Sequence, residues 1–375
     1  MLRRRHKKSR EGCLECKRRH VKCDERRPTC LLCTMSHRDC SFASETKDKD
    51  PPATLGSSSS SSPSPVQVQT QALEIINLDH MQLLIHLISD SDILSLGDAR
   101  ESYHAGILLA LRTGLQSPYL LYQLLAFSAC HLQYLHPERS AHYLHQAMTL
   151  QTQAISLFNV EKVHVDRSNC ASICLFSVVL GHHLFADTMS QREPEGLNAF
   201  LKRYTLCLET HRGILTVTMA AWPLLMETEL APVLLRSRSF TSQEGRGNDC
   251  NQIKNLVGGS AHLDDGEKKA CTQAIRNLQV GFDALSTAGE ENMRYQMLFL
   301  WNVLVPPEFT DLLAAKRPEG LIILAYYALL LHQGRHIWQV GGAGRYVLGM
   351  IEEDLDPGWD RWLQYPRERC GCGGS

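Results

Sequence analysis

The 375 residues are enough for two or three domains, and a net charge of −1 conceals an uneven distribution. Residues 1–40 hold 13 Lys and Arg against 5 Asp and Glu, and the remainder holds 26 against 35, so a basic head of +8 precedes an acidic body of −9. That asymmetry is the electrostatic footprint of a head that binds nucleic acid, and the first ten residues, lacking any apolar run, exclude a secretory signal.

Taken in order, the chain opens on Arg3-Arg4-Arg5-His6-Lys7-Lys8, a basic run suited to nuclear import, to phosphate contacts or to both. Six cysteines follow, reading Cys13-x2-Cys16-x6-Cys23-x6-Cys30-x2-Cys33-x6-Cys40. The unit Cys-x2-Cys-x6-Cys therefore occurs twice, offset by 17 residues. Two tetrahedral zinc sites need eight ligand slots, and six thiolates fill eight only if two sulfurs bridge. The repeat requires the bridging pair to be equivalent positions. A disulfide framework is the competing reading, but it needs an oxidising compartment that nothing N-terminal indicates. Only Leu14, Val21, Leu31, Leu32 and Met35 are available as an apolar core, so metal must supply the folding free energy, about 10 kcal/mol or more for structural zinc. With two zinc ions and six thiolates the head carries a charge nearer +6. A helix is expected from Lys17 to Lys22, too short to form on propensity alone and therefore held by the metal.

The stretches Lys7-Lys8-Ser9-Arg10, Gly12-Cys13, Cys16-Lys17-Arg18-Arg19-His20-Val21-Lys22-Cys23-Asp24-Glu25 and Pro28-Thr29-Cys30 closely resemble the fungal binuclear-cluster transcription factors, and among them the sterol-uptake-control type of regulator. The resemblance implies that the first and fourth cysteines bridge, here Cys13 and Cys30. It also implies that the short helix enters the major groove of double-stranded DNA and reads a CGG-like triplet. By position, the two base-reading residues are Arg19 and His20. Many members carry Lys or Arg at both, so His20 is a departure. Lys17, Arg18 and Lys22 suit phosphate better than bases.

From Ser44 to Gln71 the chain carries eight Ser, four Pro and no aromatic residue, and it cannot bury enough apolar surface to order itself. A linker of this length spans roughly 30 Å on average. No sustained heptad follows it, so any homodimer must form through the body. The expected organisation is a DNA-binding head at 1–43, a disordered linker at 44–72 and an all-α regulatory domain at 73–370.

Leu73, Ile76, His80, Leu83, Leu84 and Leu87 make one face of the body's first helix. A second helix runs from Asp98 to Leu111 and stops at Gly114. Ser117-Pro118 opens a third through Leu135, and His136-Pro137 starts a fourth to Phe158, with Tyr143, Ala147, Leu150 and Ala154 on one side. Further helices are expected at 168–186, 196–218, 265–286, 291–304, 319–338 and 343–354, with 236–266 as a long polar loop. The segments Asp79–Leu84, Ser117–Leu121, Leu125–Leu132 and Trp359-x2-Trp362-x2-Tyr365-Pro366 resemble the helical domain of the sterol-uptake-control type. In that family the body is an effector domain, and in some members it holds an apolar ligand and pairs two chains.

Several features carry competing readings. The uncharged run Ser168–Ala186 nears the length of a membrane span but contains His182, His183 and several Ser, and it reads as a core helix. Gly341–Gly344 follows a helix rather than a strand and lacks a phosphate-loop register, so it reads as a helix–helix turn. Cys170-x3-Cys174 reads as core. The stretch Glu352–Trp362 either forms an activation surface or packs its aromatics on the core. The apolar helices around Ile173–Leu180 and Leu321–Leu331 form either a plain core or a lipid-like pocket anchored by His182, His183, Tyr326, Tyr327 and His332. No nucleophile–base constellation or catalytic metal spacing appears, so no enzyme is expected. The expected function is a nuclear, sequence-specific zinc-cluster transcription factor of RNA polymerase II genes. The alternative is a co-regulator that binds DNA weakly and recruits other factors through its body.

Overall fold

A computed structural model describes residues 11–19, 21–27, 29–36, 38–42, 77–93, 100–160, 165–192, 196–287 and 293–371. The chain divides into two units, Met1–Leu73 and Glu74–Ser375. His20, the basic arm, the segment expected as linker, and Leu73 and Ile76 lie outside the described residues.

Among its described residues the first unit contains two helices of five residues, α1 (Leu14–Arg18) and α2 (Leu31–Met35). The helix expected from Lys17 to Lys22 is thus displaced towards the N-terminus. It starts directly after Cys13 and ends at Arg18, because the chain must turn back to bring Cys23 under the N–H of Cys13, 3.5 Å from its Sγ. All five aliphatic or Met candidates for a core, Leu14, Val21, Leu31, Leu32 and Met35, are exposed. What is buried instead is sulfur: Cys13, Cys16, Cys23, Cys30 and Cys33, with Cys40 and Phe42 partly buried beside them.

The second unit is helical, with no strand among the described residues. Its helices are α3 (Leu78–Ser89), α4 (Arg100–Gln116), α5 (Pro118–Leu135), α6 (Ser140–Val160), α7 (Cys170–Ser190), α8 (Leu197–Ala220), α9 (Trp222–Leu225), α10 (Ala231–Thr241), α11 (Asn251–Gly259), α12 (Asp265–Ser286), α13 (Gln296–Leu304), α14 (Pro307–Ala314), α15 (Pro318–Gln333), α16 (Ala343–Asp354) and α17 (Asp360–Cys370). Pro at the first position opens α5 and α15, and a capping box of Asp264 and Glu267 opens α12. α6 buries Tyr143, Ala147, Leu150 and Ala154, the face its periodicity specifies.

Two helices are buried nearly all round. α15 buries every residue from Glu319 to His332, with α11, α12, α14, α16 and α17 packed around it. α7 is long and apolar enough to cross a membrane by length and composition, yet it packs against α4, α5 and α8, with Cys170 and Cys174 in the core. A polar network crosses the larger core: Tyr204 of α8 donates to Asn302 Oδ1 at 2.6 Å, and Asn302 Nδ2 donates to the Tyr327 hydroxyl at 2.7 Å. Trp301 donates to the Ala274 carbonyl at 3.0 Å and stacks on Tyr327 at 4.2 Å. Each buried polar atom in this set has a partner, which is the condition for a polar group to be tolerated there.

Two further expectations are corrected. α4 runs through Gly114 to Gln116 instead of stopping. A Cβ at Gly114 would lie 3.4 Å from the Leu121 backbone, an ordinary contact distance, and this glycine stands within the helix rather than at its end. The stretch 236–266 is not one loop: it holds the end of α10 and all of α11, which buries Ile253, Leu256 and Val257. The turn before α11 is held by α12, where the Asp283 carboxylate accepts from the N–H groups of Arg246 at 2.5 Å and Gly247 at 3.0 Å. Helices α9, α10, α14 and α17 were not anticipated. At the start of α17 and within it the aromatics pack inward: Trp359, just before the helix, and Trp362 and Tyr365 in it lie against the main core, and Tyr365 donates to Asp249 at 2.5 Å.

Four of the five residues suggested as pocket anchors are engaged within the core. His182 stacks on Phe299 at 3.9 Å and pairs with Gln339 Oε1 at 3.0 Å, and His183 pairs with Gln123 at 3.2 Å. Tyr326 donates to Gln252 at 3.1 Å, and Tyr327 donates to the Leu298 carbonyl. Surface clefts of about 490 Å³ beside Lys254 and about 470 Å³ beside Trp359 are lined by none of the five.

A backbone-to-backbone contact between α15 and α16 can be tested by substitution. A Cβ on Gly344 of α16 would stand 2.5 Å from the Ala328 carbonyl oxygen and 2.6 Å from the His332 nitrogen, both backbone atoms of α15. Gly344→Ala is expected to cost about 1–3 kcal/mol or more, because the helices must separate. Gly349→Ala on the same helix meets nothing within 4 Å and is expected to gain about 0.5–1 kcal/mol from helix propensity. Urea unfolding followed by tryptophan fluorescence reads both, since all five Trp lie in the second unit.

A second test uses acid. Burial lowers the pKa of His182, His183 and His211 from 6.5 to about 4. The unfolded imidazoles therefore take up protons first. Their contribution to stability is fully present above about pH 6.5 and is lost as pH falls towards 4. Unfolding free energy of the helical unit should be flat near neutrality and decline across that window.

Candidate metal centre and nucleic-acid interface

The 17-residue repeat of the sequence is a repeat of hydrogen bonds in the structure. Lys17 N–H donates to the Cys13 carbonyl at 3.1 Å, and Thr34 N–H to that of Cys30 at 3.0 Å. Arg19 donates to Glu15 and Ser36 to Leu32, at 3.1 and 3.2 Å; Val21 donates to Cys16 and Arg38 to Cys33, at 3.1 and 3.0 Å. The sulfurs follow suit, with Cys13 N–H on Cys23 Sγ at 3.5 Å and Cys30 N–H on Cys40 Sγ at 3.2 Å. The two halves are related by a pseudo-twofold, as the spacing alone required.

The six sulfurs fall into two quartets, Cys13–Cys16–Cys23–Cys30 and Cys13–Cys30–Cys33–Cys40, and within each quartet all sulfurs lie within 4.8 Å of one another. The shared members are Cys13 and Cys30, which the repeat maps onto each other. Their Sγ atoms are 3.7 Å apart, as are those of Cys13 and Cys33 and of Cys16 and Cys30. A disulfide needs about 2.05 Å, so none of these is one. A tetrahedron with Zn–S bonds of about 2.3 Å has edges of about 3.8 Å, which these three separations match, so the donor set fits two zinc ions.

The chemistry of the sulfurs points the same way. Burial pushes the Cys33 thiol up to about 12, and burial with hydrogen bonds from its neighbours pushes Cys16 higher still. Burial acts against Cys13 too, but the N–H of Cys16 at 3.4 Å and bonds from neighbouring thiols bring it down to about 6. Six thiolates in this volume require a cation, and the N–H···S bonds from Cys13, Cys16, Glu25 and Cys30 orient and partly neutralise them.

Lys17, Arg18, Arg19 and Lys22 are all exposed on this small unit. They are not equivalent. Arg18 pairs with Glu15 at 2.8 Å, and Arg38 of the second half reaches the same carboxylate at 3.2 Å. Burial would raise the pKa of Glu15, but the two guanidiniums hold it below the usual carboxylate value. Arg19 is the C-cap of α1 and makes no ion pair with a described residue. Lys22 lies beyond the helix, beside Cys23. Two contributors were not anticipated. Asp24 accepts the Leu31 N–H at the start of α2 at 3.0 Å, and Arg27 lies over the Phe42 ring at 5.1 Å. The i, i+3 spacing of Glu15 and Arg18 was a usable sequence signal, whereas nothing local announces Arg38.

Residues 11–50 match the fungal Zn(2)-Cys(6) binuclear cluster domain. Over 40 residues the chain is 55% identical to sterol uptake control protein 2 of Candida albicans, a match covering 11% of this chain and 6% of that protein. Over 43 residues it is 51% identical to the lysine biosynthesis regulatory protein LYS14 of Saccharomyces cerevisiae, covering 12% and 5%. A weaker likeness of 22% identity to a Zn(2)-C6 fungal-type transcription factor of Gibberella zeae runs over 97% of this chain and 86% of that protein, helical unit included. The two higher-identity matches thus span only a small part of each relative. The domain they share holds two zinc ions, and the relatives are named as transcription factors and regulators rather than enzymes. At its cysteine module the chain thus carries a fungal Zn(2)-Cys(6) binuclear cluster domain, similar to that of these regulators.

Proposed function

We propose that the chain is a nuclear transcription factor of RNA polymerase II genes, whose zinc cluster reads a CGG-like site in the major groove and whose helical unit is its regulatory domain. The observation that carries this reading is the division of labour around α1. Two exposed halves of a metal cluster present basic side chains, and only some of those side chains are committed to ion pairs within the protein. A guanidinium that makes no ion pair with a described residue can grip the O6 and N7 of guanine bidentately, and Arg19 at the helix end is such a group. Arg18, turned onto Glu15, suits phosphate positioning rather than base reading. His20 is the second base reader in this proposal and lies outside the described residues.

In the same proposal Cys13 and Cys30 would be shared between two zinc ions. Cys16 and Cys23 would complete the ligand set of one, and Cys33 and Cys40 that of the other. The zinc ions supply cross-linking only. The protein supplies the N–H donors that hold each sulfur and the basic surface that meets DNA.

Two predictions follow from these roles. Cys13→Ala or Cys30→Ala should release both ions, measured by zinc content after gel filtration, whereas Cys16→Ala should retain more than either. A chelator should abolish the fold of the head, since structural zinc contributes about 10 kcal/mol or more and no apolar core remains to replace it. Retention of one ion in Cys13→Ala would overturn the shared-edge assignment.

For DNA, Arg19→Ala should lose roughly 1–3 kcal/mol on the preferred site and relax selection at one base pair in a randomised-site binding assay. Lys22→Ala should weaken all sequences alike and reduce the slope of log affinity against log salt by about one. Unchanged site selection by Arg19→Ala would mean that the head docks in another orientation. A head that binds its best site no more than a few-fold over random DNA would favour the co-regulator role, because specific readers exceed non-specific binding by about 10³ or more.

A further inference from the structure

Outside the sulfur cluster, one other set of metal-ligating side chains converges among the described residues. His86 and Asp90, four residues apart at the end of α3, meet His131 of α5, and one ligand atom from each lies within 4.8 Å of the others. His86 Nε2 and His131 Nδ1 are 3.2 Å apart, and Asp90 Oδ2 is 4.0 Å from His131 Nδ1.

We propose that His86, Asp90 and His131 form a binding site in the helical unit for a divalent cation of the zinc class, separate from the cysteine cluster.

The geometry supports this in three ways. Two imidazole nitrogens on one tetrahedral zinc, with bonds of about 2.05 Å, stand about 3.3 Å apart, which is close to the observed 3.2 Å. The carboxylate is already aimed. Asp90 Oδ1 accepts the N–H of Asp92 at 2.9 Å, which fixes the group and leaves Oδ2 as the oxygen nearest His131. A small rotation of this partly exposed side chain closes the remaining gap. The site also has a floor and a mouth: the His131 side chain is 2% exposed and that of Asp90 is 29% exposed, so solvent can supply the fourth ligand. Two imidazoles and one carboxylate suit zinc, cobalt or nickel rather than calcium or magnesium, which prefer all-oxygen sites.

The surroundings say what occupancy would do. The His131 ring lies 4.7 Å from that of Trp338, and the Trp338 indole N–H donates to the Ile93 carbonyl at 3.0 Å, just past Asp90. Gln339, the next residue, pairs with His182 of α7. A bound cation would therefore fasten the end of α3 to α5 beside the turn that follows α15, tying together the first described helix of this unit and its buried core.

The test uses the full chain with its cysteine cluster loaded with zinc and free metal removed. Co²⁺ is titrated while the visible spectrum and tryptophan fluorescence are recorded. One further equivalent should bind, with ligand-field bands of nitrogen and oxygen ligands and no thiolate-to-cobalt charge transfer, and it should quench fluorescence through Trp338. His86→Ala and Asp90→Asn should each weaken this binding at least tenfold while leaving the two zinc ions and the helical circular dichroism unchanged. Both positions are partly exposed, which spares the fold; the buried His131 is left intact. The proposal is overturned if no further equivalent binds, if both variants bind it as the parent does, or if the bands are those of thiolate. Each of those results would leave the DNA-reading assignment standing, since that is measured on the head.

Discussion

Six sulfurs must fill eight coordination positions, and the architecture of the head follows from that arithmetic. Two positions have to be shared, the shared pair has to be equivalent, and a 17-residue repeat with one Cys-x2-Cys-x6-Cys unit per half meets both conditions. The repeated backbone hydrogen bonds are the local consequence. Each half starts a single helical turn immediately after its shared cysteine, then reverses so that its third cysteine comes under the N–H of its first. Neither helix is long enough to persist without this constraint.

The helical unit obeys a different rule. Its organising element is a helix without a solvent face, α15, and a helix buried all round has to be matched by neighbours on every side. Close approach is obtained at Gly344, where backbone meets backbone, and orientation is fixed by the chain of hydrogen bonds from Tyr204 through Asn302 to Tyr327. The polar groups of Tyr204, Asn302 and Tyr327 are paired with one another in this way, and they cost little while those pairs hold.

Legibility in the sequence tracked the range of the interaction concerned. The cysteine cluster was readable because metal coordination imposes spacing directly on the chain. Helices α5, α6, α12 and α16 were readable because a proline, a capping pair or a one-sided apolar stripe lies within a few residues. The failures were of two kinds. The helix after Cys16 was misplaced because its ends are set by sulfur geometry rather than by capping or propensity. Glycine and polar residues read locally as breakers at Gly114 and over 236–266. In the structure α4 passes through Gly114, and Asp283 of α12 holds the turn before α11. Arg38 on Glu15 and His131 beside His86 join residues 23 and 45 positions apart, a separation at which no local pattern speaks.

The burial of sulfur rather than carbon in the head has a consequence for how such a module can diverge. In most small domains the residues that contact a target share their elements with residues that pack the core, so changing one disturbs the other. Here Leu14, Val21, Leu31, Leu32 and Met35 are exposed along with the basic side chains, and the cysteines alone form the buried cluster. Nearly every other position on the two short helices is therefore released from packing duty. Target preference can drift through substitutions at those positions while the scaffold stays fixed, which makes the module unusually evolvable for its size.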